Sequence, residues 1–94
     1  MSIAIDLRGE KALVTGAGAG IGREIAIWLS EAGASVAVND LVPERAESVV
    51  KEIIHNGGEA YAVPADCRDD TAVNELVKRS VAVMGGLSIA VNNV

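Results

Sequence analysis

Apolar residues along this chain come in two rhythms that alternate. Short unbroken runs, at Ala12-Leu13-Val14, Val36-Ala37-Val38, Tyr61-Ala62-Val63 and Leu87 to Val91, suit strands buried on both faces of a parallel sheet. Between them the apolar positions recur at helical spacing. From Ile21 the stripe Ile25, Trp28, Leu29 and Ala32, with Arg23, Glu24 and Glu31 off it, predicts an amphipathic helix of about three turns that Gly33 stops. Pro43 stands at a first helical position ahead of Ala46, Val49, Val50, Ile53 and Ile54, and Asn56-Gly57-Gly58 closes that helix. Asp69 or Asp70 caps a third helix whose inner face holds Val73, Leu76, Val77 and Met84, ended by Gly85-Gly86. Strands alternating with helices in this way predict an α/β fold with a parallel sheet and right-handed crossovers.

Length and charge narrow the picture. The 94 residues are half apolar with a formal net charge of -5, which reads as one globular unit over residues 1–94. A sheet covered by helices on both faces normally needs more chain than this, and a last strand as apolar as Leu87 to Val91 gives the fold an unfinished look. The eight Lys and Arg residues are scattered among thirteen Asp and Glu, which argues against a nucleic-acid or anionic-membrane partner and for small molecules. Asp6, Arg8, Glu10 and Lys11 break any signal-peptide core, and no apolar stretch reaches the ~18 residues of a membrane span, so the expected location is cytoplasmic. The single Cys67 allows no internal disulfide, and with the lone His55 it gives no metal-ligand spacing.

The candidate chemistry lies between the first strand and the first helix. A dinucleotide carries a doubly charged pyrophosphate, and a helix N-terminus offers it free backbone N–H groups at the positive end of the dipole. The turn Gly16-Ala17-Gly18-Ala19-Gly20-Ile21-Gly22 lets the backbone approach such a group. Its spacing is Gly-x-x-x-Gly-x-Gly after Thr15; the more general Gly-x-Gly-x-x-Gly fails because Ile21 takes the place of its third glycine. A triphosphate loop needs Gly-Lys-Ser/Thr, whereas Gly22 is followed by Arg23-Glu24, so that alternative drops out. A glycine-rich turn without a ligand is the alternative that stays open. Asp40 ends the second strand eighteen residues after Gly22, near the position where an acid hydrogen-bonds the adenosine ribose. A carboxylate there repels the extra phosphate of NADP, and the neighbouring Leu41, Val42 and Ala19 are neutral, so NAD is the expected cofactor. Asn39-Asp40 is also a common turn-forming pair.

With Thr15-Gly16-Ala17-Gly18-Ala19-Gly20-Ile21-Gly22, Asp40, Ala65-Asp66-Cys67 and Val91-Asn92-Asn93 in order, the sequence resembles the short-chain dehydrogenase/reductase family over its entire length. Asp6-Leu7-Arg8-Gly9 is similar to that family's approach to its first strand. The resemblance implies a Rossmann-type, doubly wound parallel sheet, of which the first four strands are present in the order 3-2-1-4, incomplete as it stands. It implies that the backbone around Gly16, Ala19, Gly20, Ile21 and Gly22 cradles the pyrophosphate, and that Asp40, with Leu41 next to it, meets the adenosine ribose. Asp66 and the Cys67 backbone would contact adenine, although an Asp after a third strand is also an ordinary helix cap. Asn92 and Asn93 match the first half of the family's Asn-Asn-Ala-Gly motif beside the nicotinamide ribose. Two positions depart from the pattern: Val94 stands where Ala is usual and would crowd a backbone segment that in the family lies against the cofactor, and Ser88 stands where Asp is usual.

By the same resemblance, the family's reaction moves a hydride between the nicotinamide and an alcohol or carbonyl, with a Tyr acid/base, a Lys in Tyr-x-x-x-Lys and a Ser that orients the substrate. The only tyrosine, Tyr61, has Ala65 four residues on and reads as a third-strand packing residue, so no catalytic residue is assigned. The catalytic trio would belong to a segment after the fourth strand. The expectation is therefore the NAD-binding portion of an NAD-dependent oxidoreductase, with a small-molecule cofactor and substrate, no nucleic acid, no membrane, and a homo-oligomeric parent. A reading from another class, a non-catalytic dinucleotide-binding or interaction module ending at Val94, would leave Leu87, Ile89 and Val91 on an unprotected edge. His55 reads as a surface residue at a helix end, Cys67 as a backbone contact with only Arg68 nearby to activate a thiol, and Trp28 as core packing in preference to an adenine stack.

Overall fold

The computed structural model describes residues 5–93. The elements follow the expected alternation: β1 Lys11–Val14, α1 Gly20–Glu31, β2 Ser35–Val38, α2 Pro43–His55, β3 Glu59–Ala62, α3 Asp70–Met84 and β4 Ile89–Val91. Every ladder is parallel, and the strand order is β3-β2-β1-β4, as expected. Val14 aligns with Val38 and Val91, and Val38 with Ala62, so the last residues of all four strands form one row. The loops that leave those strands therefore emerge along a single edge of the sheet.

Alternation along each strand divides the core between two faces. Ala12, Val14, Val36, Val38 and Ala60 pack with Ala26, Leu29, Ala46, Val49 and Ile53 of α1 and α2. Leu13 and Ala37 point the other way, toward Val63 and toward Leu76 and Met84 of α3. A right-handed crossover requires this arrangement, because the chain steps outward from β1 to β2 and β3 but returns past β1 to reach β4. The reversal leaves a switch point between β1 and β4, where an open α/β sheet offers a crevice. Fully buried side chains such as Ile53 and Leu76 each contribute about 1.5–3 kcal/mol by leaving water.

The helix limits have local causes. Pro43 sits in the first turn of α2, where a missing N–H costs nothing. Of the two candidate caps for α3 it is Asp69 that accepts the Thr71 N–H, at 2.9 Å, while Gly85 ends the helix in the left-handed conformation at φ 78 and donates to the Val81 carbonyl.

Several expected faces are rotated. Trp28 is not a core residue: it is 50% exposed, and α1 buries Gly22, Ala26 and Leu29. Leu29 keeps its expected place and Ile25 packs at the edge of the core, while the small residues Gly22 and Ala26 take the centre of the inward face in place of Trp28. On α3 the buried residues are Leu76, Ser80 and Met84, with Val77 exposed; the Ser80 hydroxyl is accommodated by donating to the Leu76 carbonyl at 2.8 Å. Ile54 is likewise exposed. The fourth strand begins at Ile89, not Leu87, because the first rung is built by Ser88, whose N–H donates to the Lys11 carbonyl at 2.8 Å while its hydroxyl accepts the Lys11 N–H at 2.9 Å. Among the described residues no helix is long and apolar enough to cross a membrane, and no cluster of His, Cys, Asp and Glu could hold a metal ion.

Candidate functional site

The loop after β1 is shaped by three different demands on its glycines. Gly16 and Gly20 adopt φ of 60 and 59, the left-handed region that favours glycine. Gly22 is needed for closeness: a Cβ there would lie 2.2 Å from the Gly16 carbonyl oxygen and 2.6 Å from Asn93 Nδ2. Gly18 has no left-handed strain, yet a Cβ on it would lie 2.6 Å from Asp40 Cγ. The result is a turn folded tightly beneath the start of α1. Ala19 precedes that helix in extended conformation, no side chain caps it, and its first turn holds no acidic residue. The leading N–H groups of α1 thus stand at the positive end of the dipole without a competing carboxylate, and Ala19, Gly20 and Ile21 are exposed. This end of the helix fits an anion.

Asn39 is what ties the turn to the neighbouring loops. It is 1% exposed, its Oδ1 accepts the Gly16 N–H at 3.4 Å and the Cys67 thiol at 3.2 Å, and its Nδ2 donates to the carbonyls of Val63 at 2.9 Å and Ala65 at 3.3 Å. Its backbone continues the link, accepting the Ala17 N–H at 2.7 Å. On the other flank Asn93 donates from Nδ2 to the Gly16 carbonyl at 3.2 Å and from its backbone to Thr15 Oγ1 at 2.9 Å. The Thr15 hydroxyl in turn faces Asn92 Oδ1 at 3.2 Å. By sequence Asn39 reads only as a turn former, and Thr15, Gly18 and Asn93 are parts of the matching motifs with none of these contacts assigned to them. The one available signal was an amide placed directly after a buried strand.

Asp40 is buried, with Oδ1 accepting the Gly18 N–H at 3.2 Å and Oδ2 the Val42 N–H at 3.0 Å. The second bond is the turn-forming role, and the first aims the same carboxylate back at the glycine turn. Each oxygen keeps a lone pair for a further donor. A cavity of about 340 Å³ opens here between Thr15 and Gly16, Asn39 to Leu41, Ala65 to Arg68, and Asn93. It gathers Gly16, Asp40, Leu41, Asp66 and Cys67 from the expected set into one space. Asn92 lies apart, lining an adjoining cavity of about 250 Å³ with Thr15, Cys67 and Leu76. Gly20 and Ile21 instead border a broad groove along the outer side of α1 that Arg23 and Trp28 share.

At the cavity rim Asp66 and Arg68 form a two-pronged ion pair at 2.8 and 2.9 Å, with the Arg68 N–H adding a third bond at 3.0 Å. The Arg68 side chain and backbone together hold the Asp66 carboxyl down at about 2. The helix cap is Asp69, so Asp66 is not occupied with capping. Burial, then the Asp66 charge, push the Cys67 thiol up, which agrees with an unreactive cysteine. Tyr61 lies in β3 and its hydroxyl donates to Glu59 Oε1 at 2.7 Å; that bond raises its pKa and commits it within the strand. His55 is the exposed last residue of α2. The crowding expected of Val94 lies outside the described residues.

Comparison with known proteins agrees with this geometry. A family model for short chain dehydrogenases matches residues 10–94. Over 87 residues the chain is 44% identical to the 7alpha-hydroxysteroid dehydrogenase of Escherichia coli K12, covering 93% of this chain and 34% of that protein. It is 45% identical over 85 residues to the 3-oxoacyl-(acyl-carrier-protein) reductase FabG of Staphylococcus aureus N315, covering 89% of this chain and 35% of the reductase. Among solved structures, a 7 alpha-hydroxysteroid dehydrogenase complexed with NADH and 7-oxo glycochenodeoxycholic acid superposes with a TM-score of 0.93 at 42% identity, over 96% of this chain and 35% of that one. A dehydrogenase/reductase from Sinorhizobium meliloti 1021 gives 0.92 at 44% identity, over 96% and 36% of the two chains. The chain thus spans about a third of the length of the curated relatives it matches.

Proposed function

The chain belongs to the short-chain dehydrogenase family, and we propose that it is the NAD-binding portion of an oxidoreductase that transfers a hydride between NAD(H) and an alcohol or carbonyl substrate. The observation that carries the cofactor reading is the Asp40 carboxylate, buried at the end of β2 and held by the Gly18 and Val42 N–H groups on the wall of a cavity that also reaches the glycine turn. The NADH in the related hydroxysteroid dehydrogenase structure supports it.

In this reading the leading N–H groups of α1 and the backbone from Gly16 to Gly22 hold the pyrophosphate. The free lone pairs of Asp40 accept the adenosine ribose hydroxyls, and Leu41 lies beside them. Asp66 accepts from the adenine amino group next to the Cys67 backbone. Asn92 and Asn93, fastened to Thr15 and Gly16, close the switch-point crevice where the nicotinamide ribose is expected. When bound, the nicotinamide ring supplies the carbon that gives or takes the hydride. This chain's own contribution is binding and orientation.

Asp40 also excludes. A 2′-phosphate brought against a fixed carboxylate is a like-charge contact that costs several kcal/mol, so NADPH is disfavoured. Isothermal titration of the intact protein tests this directly. NADH should bind more tightly than NADPH, and the reverse order would overturn the role given to Asp40.

A further inference from the structure

The glycines of the turn are not interchangeable: a Cβ on Gly16 or Gly22 would also meet Asn93, and Gly18 is the one whose requirement points at Asp40. Gly16 and Gly20 answer to φ, and Gly22 answers to the Gly16 carbonyl. Gly18 lies outside the left-handed region, but a Cβ on it would lie 2.6 Å from Asp40 Cγ, 2.8 Å from Asp40 Oδ1 and 2.7 Å from Arg45 Cβ. Arg45 Cβ is fixed by the first turn of α2, so it cannot rotate aside. Of these contacts only the Asp40 carboxylate can rotate, losing the Gly18 N–H at 3.2 Å and swinging on its remaining bond to Val42, whereas the Arg45 Cβ contact is relieved only by a shift of the turn itself.

We propose that Gly18 is a positioning residue for cofactor choice: the space left by its missing side chain seats the Asp40 carboxylate against the turn, so residues 18 and 40 discriminate NADH from NADPH as a pair. The inference rests on the reading of Asp40 as the ribose-binding acid. A misplaced carboxylate loses its hydrogen bonds to the ribose and also its fixed opposition to a 2′-phosphate. The missing side chain at position 18 therefore contributes to affinity for one cofactor and to rejection of the other through Asp40.

The test is a titration of the intact protein with NADH and with NADPH in four forms: unaltered, Gly18→Ala, Asp40→Ala, and both together. Gly18→Ala should weaken NADH by about tenfold, the worth of one charge-assisted hydrogen bond, and should change NADPH by less than about threefold. In the Asp40→Ala background the same Gly18→Ala change should weaken NADH and NADPH to the same extent, because the carboxylate it displaces is gone and only the Arg45 contact, which bears on both cofactors alike, is left. Equal losses for NADH and NADPH with Asp40 present, or equal losses in both backgrounds, would mean that Gly18 serves only the turn, and the inference would fail. If Gly18→Ala alone does not fold, Arg45→Gly is added to clear the second contact: a cooperative melt that returns only when Asp40→Ala is present as well supports the coupling, and a melt that returns with Arg45→Gly alone overturns it. The two readings separate cleanly. An Asp40→Ala variant with an unaltered NADH to NADPH ratio refutes the ribose role of Asp40, whereas a ratio that shifts in Asp40→Ala but not in Gly18→Ala refutes only the role of Gly18.

Discussion

Replacing Gly22 by Ala forces the first helix off the turn it covers. The new Cβ would stand 2.2 Å from the Gly16 carbonyl oxygen, 2.9 Å from its carbon and 2.6 Å from Asn93 Nδ2. None of these is the free end of a flexible chain: two are backbone, and the third is already donating to that same oxygen at 3.2 Å. Relief requires the start of α1 to withdraw by more than an ångström, which disturbs the packing of Ala26 and Leu29 and pulls Asn93 from Gly16. Overpacking of this kind costs about 1–3 kcal/mol and a partly buried hydrogen bond left unmade about 1–3 more, so the expected loss is roughly 2–6 kcal/mol. Gly20→Ala supplies the comparison. Gly20 has φ 59 but nothing within 4 Å of a Cβ, so its cost is the left-handed backbone alone, about 1–2 kcal/mol. Urea denaturation followed by circular dichroism, without ligand and at matched m-values, ranks the two variants. A Gly22→Ala protein no less stable than Gly20→Ala would refute the argument that close approach, and not backbone conformation, requires glycine at position 22.

Two further outcomes follow from the site. Asn39→Ala strips partners from the Gly16 N–H and from the Val63 and Ala65 carbonyls in a buried position, and should cost about 2–4 kcal/mol by the same urea assay; a loss under about 1 kcal/mol would show that Asn39 is not the tie between the loops. Asp66 has its folded-state pKa lowered from 3.8 to about 2, so the benefit of its pairing with Arg68 is present above the unfolded value and is lost as pH falls from 3.8 toward about 2. Carboxyl-carbon NMR should show this low titration, and Arg68→Ala should return it toward 3.8; a titration that does not move in that variant rules out Arg68 as the cause.

Much of the site was readable because its requirements leave local marks. A left-handed backbone selects glycine at 16 and 20, and the acid proposed for the ribose, Asp40, falls at a set distance after the turn. The contacts that tie its loops together leave none. Asn39 acts on Gly16, Val63, Ala65 and Cys67, and Asn93 on Thr15 and Gly16, across separations of more than twenty and more than seventy residues. A side-chain amide bonding to distant backbone has no periodicity and no neighbour that announces it. Asn39 therefore looked like a turn residue, and Gly18 looked like one more glycine.

The fold divides in the same way. Element order, the parallel sheet and its 3-2-1-4 arrangement follow from near-continuous apolar strands, from helices bounded by Pro43, Asp69 and Gly85, and from the handedness of crossovers, all of which are local or general constraints. The rotation of each helix on the sheet does not follow from them. With apolar residues at Ile21, Ile25, Ile27, Trp28 and Leu29, periodicity permits more than one inward face on α1. The choice is made where Gly22 meets the Gly16 carbonyl, which turns Ala26 and Leu29 into the core and leaves Trp28 half exposed. Steric fit between segments decided what hydrophobicity left open.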